Sequence, residues 1–166
     1  MIRRLSIISG LVVLSAFALT GKANAQSVDV NFSGIVPNTC TITKVSNGTL
    51  SLVNPNLLDA NANRGQVLVN CAGSGAVTIS NPVATSTVAA NYAGLSGTQT
   101  VAELWSSATG GTYLADSQGM FGNTSYTAAS NNQNVPLYVN VFSRNSAIPL
   151  PTGTYAFKTT VTVNPL

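Results

Sequence analysis

The side chains that could do chemistry are few in this sequence of 166 residues. It contains no histidine, four acidic residues and two cysteines, Cys40 and Cys71. Without histidine the chain lacks the commonest general base and the commonest transition-metal ligand, and two cysteines cannot complete a four-ligand zinc site. A serine nucleophile would need a lysine base, but neither Lys44 nor Lys158 stands in a Ser-x-x-Lys arrangement. The composition therefore predicts a protein that is not an enzyme and that has no metal or cofactor.

The basic residues that give the chain its net charge of +3 lie at its N-terminus. Arg3, Arg4 and Lys22 fall within the first 25 residues, which contain no acid. The rest of the chain balances four basic against four acidic side chains, so it offers no positive surface for phosphate groups, and we expect no nucleic-acid partner. Because sparse charge and zero net charge oppose association weakly, the composition favours a protein that works in an assembled state.

The first 25 residues are typical of a secretory signal peptide. Arg3 and Arg4 precede an apolar run over residues 5–20, and Ala23-Asn24-Ala25 forms a cleavage site that would start the mature chain at Gln26. The apolar run is short for a membrane span, which needs roughly 20 residues. We therefore expect a secreted protein, with no stable membrane insertion of the mature chain.

In an exported protein the pair Cys40 and Cys71 predicts a disulfide bond, formed in an oxidising compartment such as a bacterial periplasm. The chain-entropy model gives about 3–4 kcal/mol for closing a loop of this length. Two reduced thiols remain the alternative at this point.

Alternation of apolar and polar residues with a period of two dominates the mature chain and predicts strands. Such runs cover residues 28–36, 39–45, 50–52, 66–71, 76–80, 135–142 and 155–163, with weaker ones at 101–105 and 111–114. Residues 57–64 have mild helical character and predict a turn or loop, residues 119–132 and 143–152 predict loops, and no long amphipathic helix is evident. About seven short strands indicate an all-β, immunoglobulin-like sandwich.

The clearest strands begin and end the mature chain. The last one places Tyr155, Phe157, Val161 and Val163 on one face, and the first one does the same with Val28, Val30, Phe32, Gly34 and Val36. A first strand with nothing before it can leave its own domain and fill the groove of a sandwich that lacks its last strand, pairing through its main chain while alternate side chains enter pockets. We therefore predict a donor strand segment over residues 26–38 and, over residues 39–166, an incomplete sandwich whose groove lies beside the last strand.

Three features together resemble a chaperone–usher pilin subunit of the archaic type, which shares the spore coat protein U-like domain. They are SVDVNFSGIV (residues 27–36) ahead of Cys40, Cys71 at a strand end, and PLPTGTYAFKTTVTV (residues 149–163), where Gly153 and Tyr155 open the last strand. The resemblance covers both ends of the mature domain but not residues 81–131, and the chain lacks the near-terminal aromatic residue of better-known pilins.

The resemblance implies donor-strand exchange, in which each subunit inserts its N-terminal strand into the groove of the next one. The partners it implies are other pilin subunits in a homo- or hetero-polymer, a periplasmic chaperone and an outer-membrane usher. It also implies secretion through the periplasm to a cell-surface pilus, or fimbria, that supports adhesion or biofilm formation.

A second interpretation, from another class, is a self-contained secreted β-sandwich that binds glycan or extracellular matrix. Residues 28–36 would then be the first strand of their own domain. Trp105 and the region between Tyr92 and Tyr126 could form a glycan-binding patch or pack in the core. The two interpretations differ in whether residues 28–36 pair within one chain or with another copy.

Overall fold

A computed structural model of the chain describes residues 31, 33, 38–129 and 134–166. The chain divides into two compact units, Met1–Gly34 and Ile35–Leu166. In the first unit Asn31 and Ser33 are described, and both are exposed. The predicted signal peptide and the predicted donor residues Val28, Val30, Phe32, Gly34 and Val36 lie outside the described residues. All elements named below belong to the second unit.

The described part of the second unit is built from strands and one short helix. In chain order they are β1 (Cys40–Ser46), β2 (Ser51–Asn54), β3 (Leu57–Asp59), β4 (Gly65–Cys71), β5 (Gly75–Ile79), β6 (Val83–Ala84), α1 (Thr87–Ala93), β7 (Thr98–Trp105), β8 (Tyr113–Asp116), β9 (Ser125–Ala128), β10 (Val135–Asn145), β11 (Phe157–Lys158) and β12 (Val161–Pro165). The unit is therefore all-β apart from α1, as the period-two alternation predicts.

The larger sheet is antiparallel and centres on β10. One side of β10 pairs with β7, which pairs in turn with β8. The other side pairs with β4 along its first half and with β3 along its second half. Because β1 pairs with β4 and β2 pairs with β3, the strands β1 and β2 follow each other along one edge of this sheet.

The edge bends between β1 and β2, where two glycines lie back to back. A Cβ atom on Gly48 would lie 2.9 Å from the Gly65 nitrogen, and one on Gly65 would lie 3.0 Å from the Gly48 nitrogen. The Thr49 N–H donates to the Asn63 carbonyl at 2.8 Å, which holds together the two segments that contain Gly48 and Gly65. Any side chain at either glycine would separate these backbones, so the bend requires glycine at both positions.

The remaining described strands form two smaller antiparallel sheets, of three and of two strands. β5 lies between β9 and β12, and β6 pairs with β11. Between β11 and β12 the ladder is interrupted at Thr159 and Thr160, where Ser80 supplies the partners instead. The Ser80 hydroxyl accepts from the Thr160 N–H at 2.9 Å, and the Ser80 N–H donates to the Thr160 carbonyl at 2.9 Å. The last strand therefore runs as one interrupted strand along β6 and β5.

One apolar core joins the large sheet and the three-stranded sheet. It combines residues of β4, β7, β8 and β10 with residues of β5 and β9: Val67, Val69, Cys71, Ala102, Leu104, Ala115, Leu137, Val77, Ile79 and Ala128. Along β4 and β5 every second residue is buried, which is the alternation expected when one face of a strand packs on a core.

Four sequence-based expectations differ from the structure. Residues 57–64, expected as a turn or loop with helical character, contain β3, because Leu57–Asp59 pairs with the distant β10. The expected loop 119–132 contains β9, and β10 extends to Asn145 into the expected loop 143–152. The predicted strand 111–114 lies at Tyr113–Asp116 instead. β3, β9 and the extension of β10 depend on pairing with strands far away in sequence, which local alternation does not report, whereas β8 pairs with the neighbouring β7.

Candidate functional site

A groove of about 870 Å³ opens beside the last strand of the second unit. One wall runs from Ile42 to Leu50, through β1 and the glycine bend, and the other wall runs from Tyr155 to Val161. The floor consists of residues on β4 and β10 together with Ala60, namely Gly65, Gln66, Val67, Val139 and Val141.

The floor of this groove includes apolar residues on the core-facing side of β10 that the described part of the chain leaves partly exposed. Leu137, Val139 and Val141 lie on the core-facing side of β10, yet Leu137 is 1% exposed whereas Val139 and Val141 are half-buried. Among the described residues, β1 pairs with β4 alone and β12 pairs with β5 alone, so each presents an unpaired edge. Backbone N–H and C=O groups on such edges can pair with an additional strand.

Tyr155 forms one end of the groove, where α1 packs on the start of the last strand. Its ring meets the fully buried ring of Tyr92 edge to face, with the centroids 5.9 Å apart. Its hydroxyl donates to the Pro151 carbonyl at 2.8 Å. Burial raises the pKa of Tyr155, and the neighbouring Tyr92 raises it further. The hydroxyl therefore stays protonated and keeps its role as a donor.

Ser86 ties α1 to the same stretch of chain. Its hydroxyl accepts the N-cap hydrogen bond from the Ala89 N–H at 3.3 Å and a second bond from the Ala156 N–H at 3.2 Å. It also donates to the Thr154 carbonyl at 2.8 Å. One side chain thus caps the helix and fixes the segment that leads into the groove wall.

Gly153 allows this close approach of helix and strand. Its φ is 150°, a conformation that side-chain-bearing residues rarely adopt. A Cβ atom there would lie 2.7 Å from Val88 Cγ2 of α1. The Gly-x-Tyr spacing therefore has a local physical cause, since Gly153 admits the helix and Tyr155, two residues later, lines the groove.

The disulfide lies beyond the opposite end of the groove and confirms the predicted pairing of Cys40 with Cys71. The two cysteines are directly opposite in the β1–β4 ladder. A Cβ atom on Gly75 would lie 2.6 Å from Cys40 Sγ and 3.0 Å from Val163 Cγ2. The sulfur atoms, Gly75 and Val163 therefore pack together where β1 approaches β12.

The charged residues that line the groove are both basic. Lys44 stands on β1 and Lys158 on β11, and both side chains are exposed. Of the described residues, no aspartate or glutamate lines the groove. Lys44 lies two residues after Ile42 and four after Cys40, so it occupies the side of β1 that faces the core.

A second cluster of polar and aromatic side chains involves β7, β10 and the loop after β7. The Arg64 guanidinium lies 4.1 Å from the centre of the Trp105 ring, and its Nη1 donates to the Ser107 and Gly110 carbonyls at 2.8 Å. Burial lowers the pKa of Arg64, while Glu103 opposes this shift. The Trp105 indole N–H donates to Glu103 at 2.9 Å. These contacts hold the loop after β7 against the sheet. We therefore interpret this cluster as part of the packing of the fold.

Asp116 organises the neighbouring loop. Its carboxylate is fully buried and accepts from the Tyr113 hydroxyl at 2.5 Å and from the N–H groups of Gln118, Met120 and Phe121 at 2.7–3.1 Å. Burial alone would raise the pKa of Asp116, but these hydrogen bonds outweigh it and lower the pKa. Burial and the bond to Asp116 raise the pKa of Tyr113.

The groove brings together most of the residues predicted beside the last strand. Tyr155, Phe157 and Val161 line it, whereas Val163 packs on the core at the disulfide end. Tyr92 is fully buried against Tyr155, so it contributes no surface to an aromatic patch. Sequence reasoning missed the floor residues Val139 and Val141, because their alternation marks a core face without showing that the core is open there.

Within the described ranges no group of three or more histidine, cysteine, aspartate or glutamate side chains is arranged to hold a metal ion. The one helix of that same part of the chain is too short to cross a membrane. No family model matches the chain, and no curated protein matches it.

Proposed function

We propose that the chain is a secreted structural subunit of a surface pilus, with an incomplete immunoglobulin-like sandwich that receives the N-terminal strand of another copy. The observation that carries this proposal is the half-buried floor at Val139 and Val141, between two strand edges that no described residue pairs with. A complete sandwich would place a further strand there. In this proposal that strand comes from another copy of the chain.

Residues 26–36 have the properties that the groove requires of such a strand. Their sequence alternates Val28, Val30 and Phe32 with polar residues, and alternate side chains of an inserted strand enter a groove while its main chain pairs with the edges. With Val36, four apolar side chains at about 1.5–3 kcal/mol each give a gross gain of about 6–12 kcal/mol. This gain and the main-chain hydrogen bonds favour insertion, and they act against the cost of bringing two subunits together.

In this proposal the subunit is exported through the periplasm, where a chaperone protects the open groove until an outer-membrane usher passes the subunit to the growing fibre. The fibre supports adhesion or biofilm formation at the cell surface. The uncovered apolar floor supports the need for a chaperone, because exposed apolar surface and free edges favour non-specific association before assembly.

The test uses two variants of the chain that each lose one half of the joint. One lacks residues 26–36 and so has no donor strand. The other carries Phe157→Asp, which places a charge in the groove wall and leaves the donor strand intact. We expect neither variant to polymerise alone, and we expect an equimolar mixture to form a discrete heterodimer, measured by size-exclusion chromatography with light scattering.

The matched control is Val45→Asp, which adds the same charge to β1 at an exposed position (51%) that does not line the groove. The control should polymerise like the parent chain. Circular dichroism checks that all variants are folded. A mixture that stays monomeric, or a chain lacking residues 26–36 that still polymerises, would refute the donor assignment. Unfolding of that deletion variant in the absence of any partner would favour the self-contained sandwich that binds glycan or matrix.

A further inference from the structure

The groove has one sign of charge. Four basic side chains lie outside the first 25 residues, and two of them, Lys44 and Lys158, line the groove. Arg64 is instead bound to loop carbonyls. Arg144 lines another depression, together with Asn145 and Gln99. The acids Asp59, Glu103 and Asp116 all lie outside the lining. The domain over residues 39–166, which has four basic and three acidic side chains, therefore presents a positive groove.

Lys44 occupies a position where an apolar residue would be expected. It follows Cys40 and Ile42 on the core-facing side of β1, and both of these are half-buried. Inward-pointing charges, lysine above all, are a common device by which edge strands discourage pairing with arbitrary partners. An apolar strand that enters the groove must therefore pass or cover an ammonium group, which favours an entering strand that brings a negative charge.

The segment 26–36 has a single ionisable side chain, the carboxylate of Asp29. On this basis, and resting on the proposed function, we infer that Lys44 and Lys158 make the groove a charge-selective acceptor, which takes an apolar strand carrying an acid and disfavours one carrying a base. The occupant is the N-terminal segment of a second copy. Charge complementarity of this kind acts mainly on the rate of encounter and on the choice of partner.

The size of the effect follows from Coulomb's law. For a separation of about 10 Å in water, each of the two lysines attracts a carboxylate weakly. Replacing the carboxylate with a base turns both attractions into repulsions. The total change corresponds to about a tenfold lower rate of assembly at low salt. Salt should remove most of this difference, because the Debye length is about 10 Å at 0.1 M ionic strength and about 3 Å at 1 M.

The experiment exchanges charges in the full chain. We expect Asp29→Lys alone, and Lys44→Glu with Lys158→Glu alone, each to slow polymerisation about tenfold at low salt. Combining all three substitutions should restore the rate to within about threefold of the parent chain. Light scattering of freshly refolded chains gives the rates, and repeating the series at 1 M salt should bring all variants together.

The matched control is Arg144→Glu, which changes the same charge at an exposed position outside the groove lining and should leave the rate unchanged. Both substituted lysines in the groove are exposed. The neutral pair Lys44→Gln with Lys158→Gln provides a second series. In that background Asp29→Lys should slow assembly less than it does in the parent chain. A triple charge exchange that assembles no faster than its components overturns the inference. That result leaves the proposed function standing, because the latter is tested separately, by deletion of residues 26–36 and by the mixture of the two half-joint variants.

Discussion

Replacing Gly153 with alanine tests the contact by which α1 holds the start of the last strand beside the groove. The new methyl group would lie 2.7 Å from Val88 Cγ2, on a backbone with a φ of 150°. Backbone strain at such a position costs about 1–3 kcal/mol, and overpacking typically costs about 1–3 kcal/mol more. We expect the free energy of unfolding to fall by about 3 kcal/mol in total.

A double-mutant cycle separates the two contributions. Val88→Ala alone removes part of a half-buried side chain and should cost about 1 kcal/mol. In the double variant the methyl group of residue 153 no longer meets Val88, so we expect a favourable coupling energy of about 1–2 kcal/mol, while the backbone strain remains. Gly110→Ala is the matched control, since Gly110 also has a positive φ (63°) but nothing within 4 Å of its added Cβ.

Urea unfolding followed by circular dichroism measures these four variants, and the double variant of Gly110→Ala with Val88→Ala, under identical conditions. We expect Gly110→Ala to lose about 1–2 kcal/mol, the backbone part alone, and to show no coupling with Val88→Ala. A coupling energy between Gly153→Ala and Val88→Ala that lies within about 0.3 kcal/mol of zero would refute the close packing of α1 on this strand.

Three further predictions concern stability. Substituting both cysteines of the disulfide, Cys40→Ala with Cys71→Ala, should lower the free energy of unfolding by about 3–4 kcal/mol in urea, and a loss below about 1 kcal/mol would contradict the loop-entropy argument. Ser86→Ala should cost more than the roughly 1 kcal/mol of a lost N-cap, because it also removes the bonds to Ala156 and Thr154. Ser86→Gly loses the same two bonds but caps almost as well, so it should cost less in the same urea assay. The pKa of Asp116 is lower in the folded state than in the unfolded state, so its ionised carboxylate stabilises the fold. This contribution is fully present above the unfolded-state pKa and is lost as the pH falls through the folded-state pKa. Thermal unfolding between about pH 5 and pH 2 should therefore show a steeper loss of stability in the parent chain than in Asp116→Asn, and equal slopes would exclude this role of Asp116.

The strands that sequence reasoning placed correctly have strong alternation of their own. In β4 and β5 the residues predicted for the core face are the buried ones, and the last strand keeps Phe157, Val161 and Val163 on one side as predicted. Here the local pattern and the tertiary structure agree, because a half-buried strand needs little more than an apolar face. The predicted disulfide agrees for a similar reason, since two cysteines allow one pairing.

The elements that sequence reasoning missed depend on distant partners. β3 has three residues and exists because it pairs with β10, and β9 lies in a polar stretch and pairs with β5. α1 has seven residues, too few for a helix to be stable alone, and it is held by the Ser86 cap and by Tyr92 in the core. The bend at Gly48 and Gly65, which shapes one wall of the groove, results from two backbones in contact, and no local pattern reports such a contact.

The position of the disulfide also determines how mechanical load would travel through the subunit. Cys40 is the first residue of β1 and is bonded to the last residue of β4. In a chain pulled from its N-terminal side, β1 would have to unzip from β4 one ladder pair at a time, beginning at this pair. The covalent bond blocks that first step, so tension passes into β4, which lies between β1 and β10 in the sheet. A fibre of such subunits would then carry tension as shear across the whole sheet and would not peel at its edge.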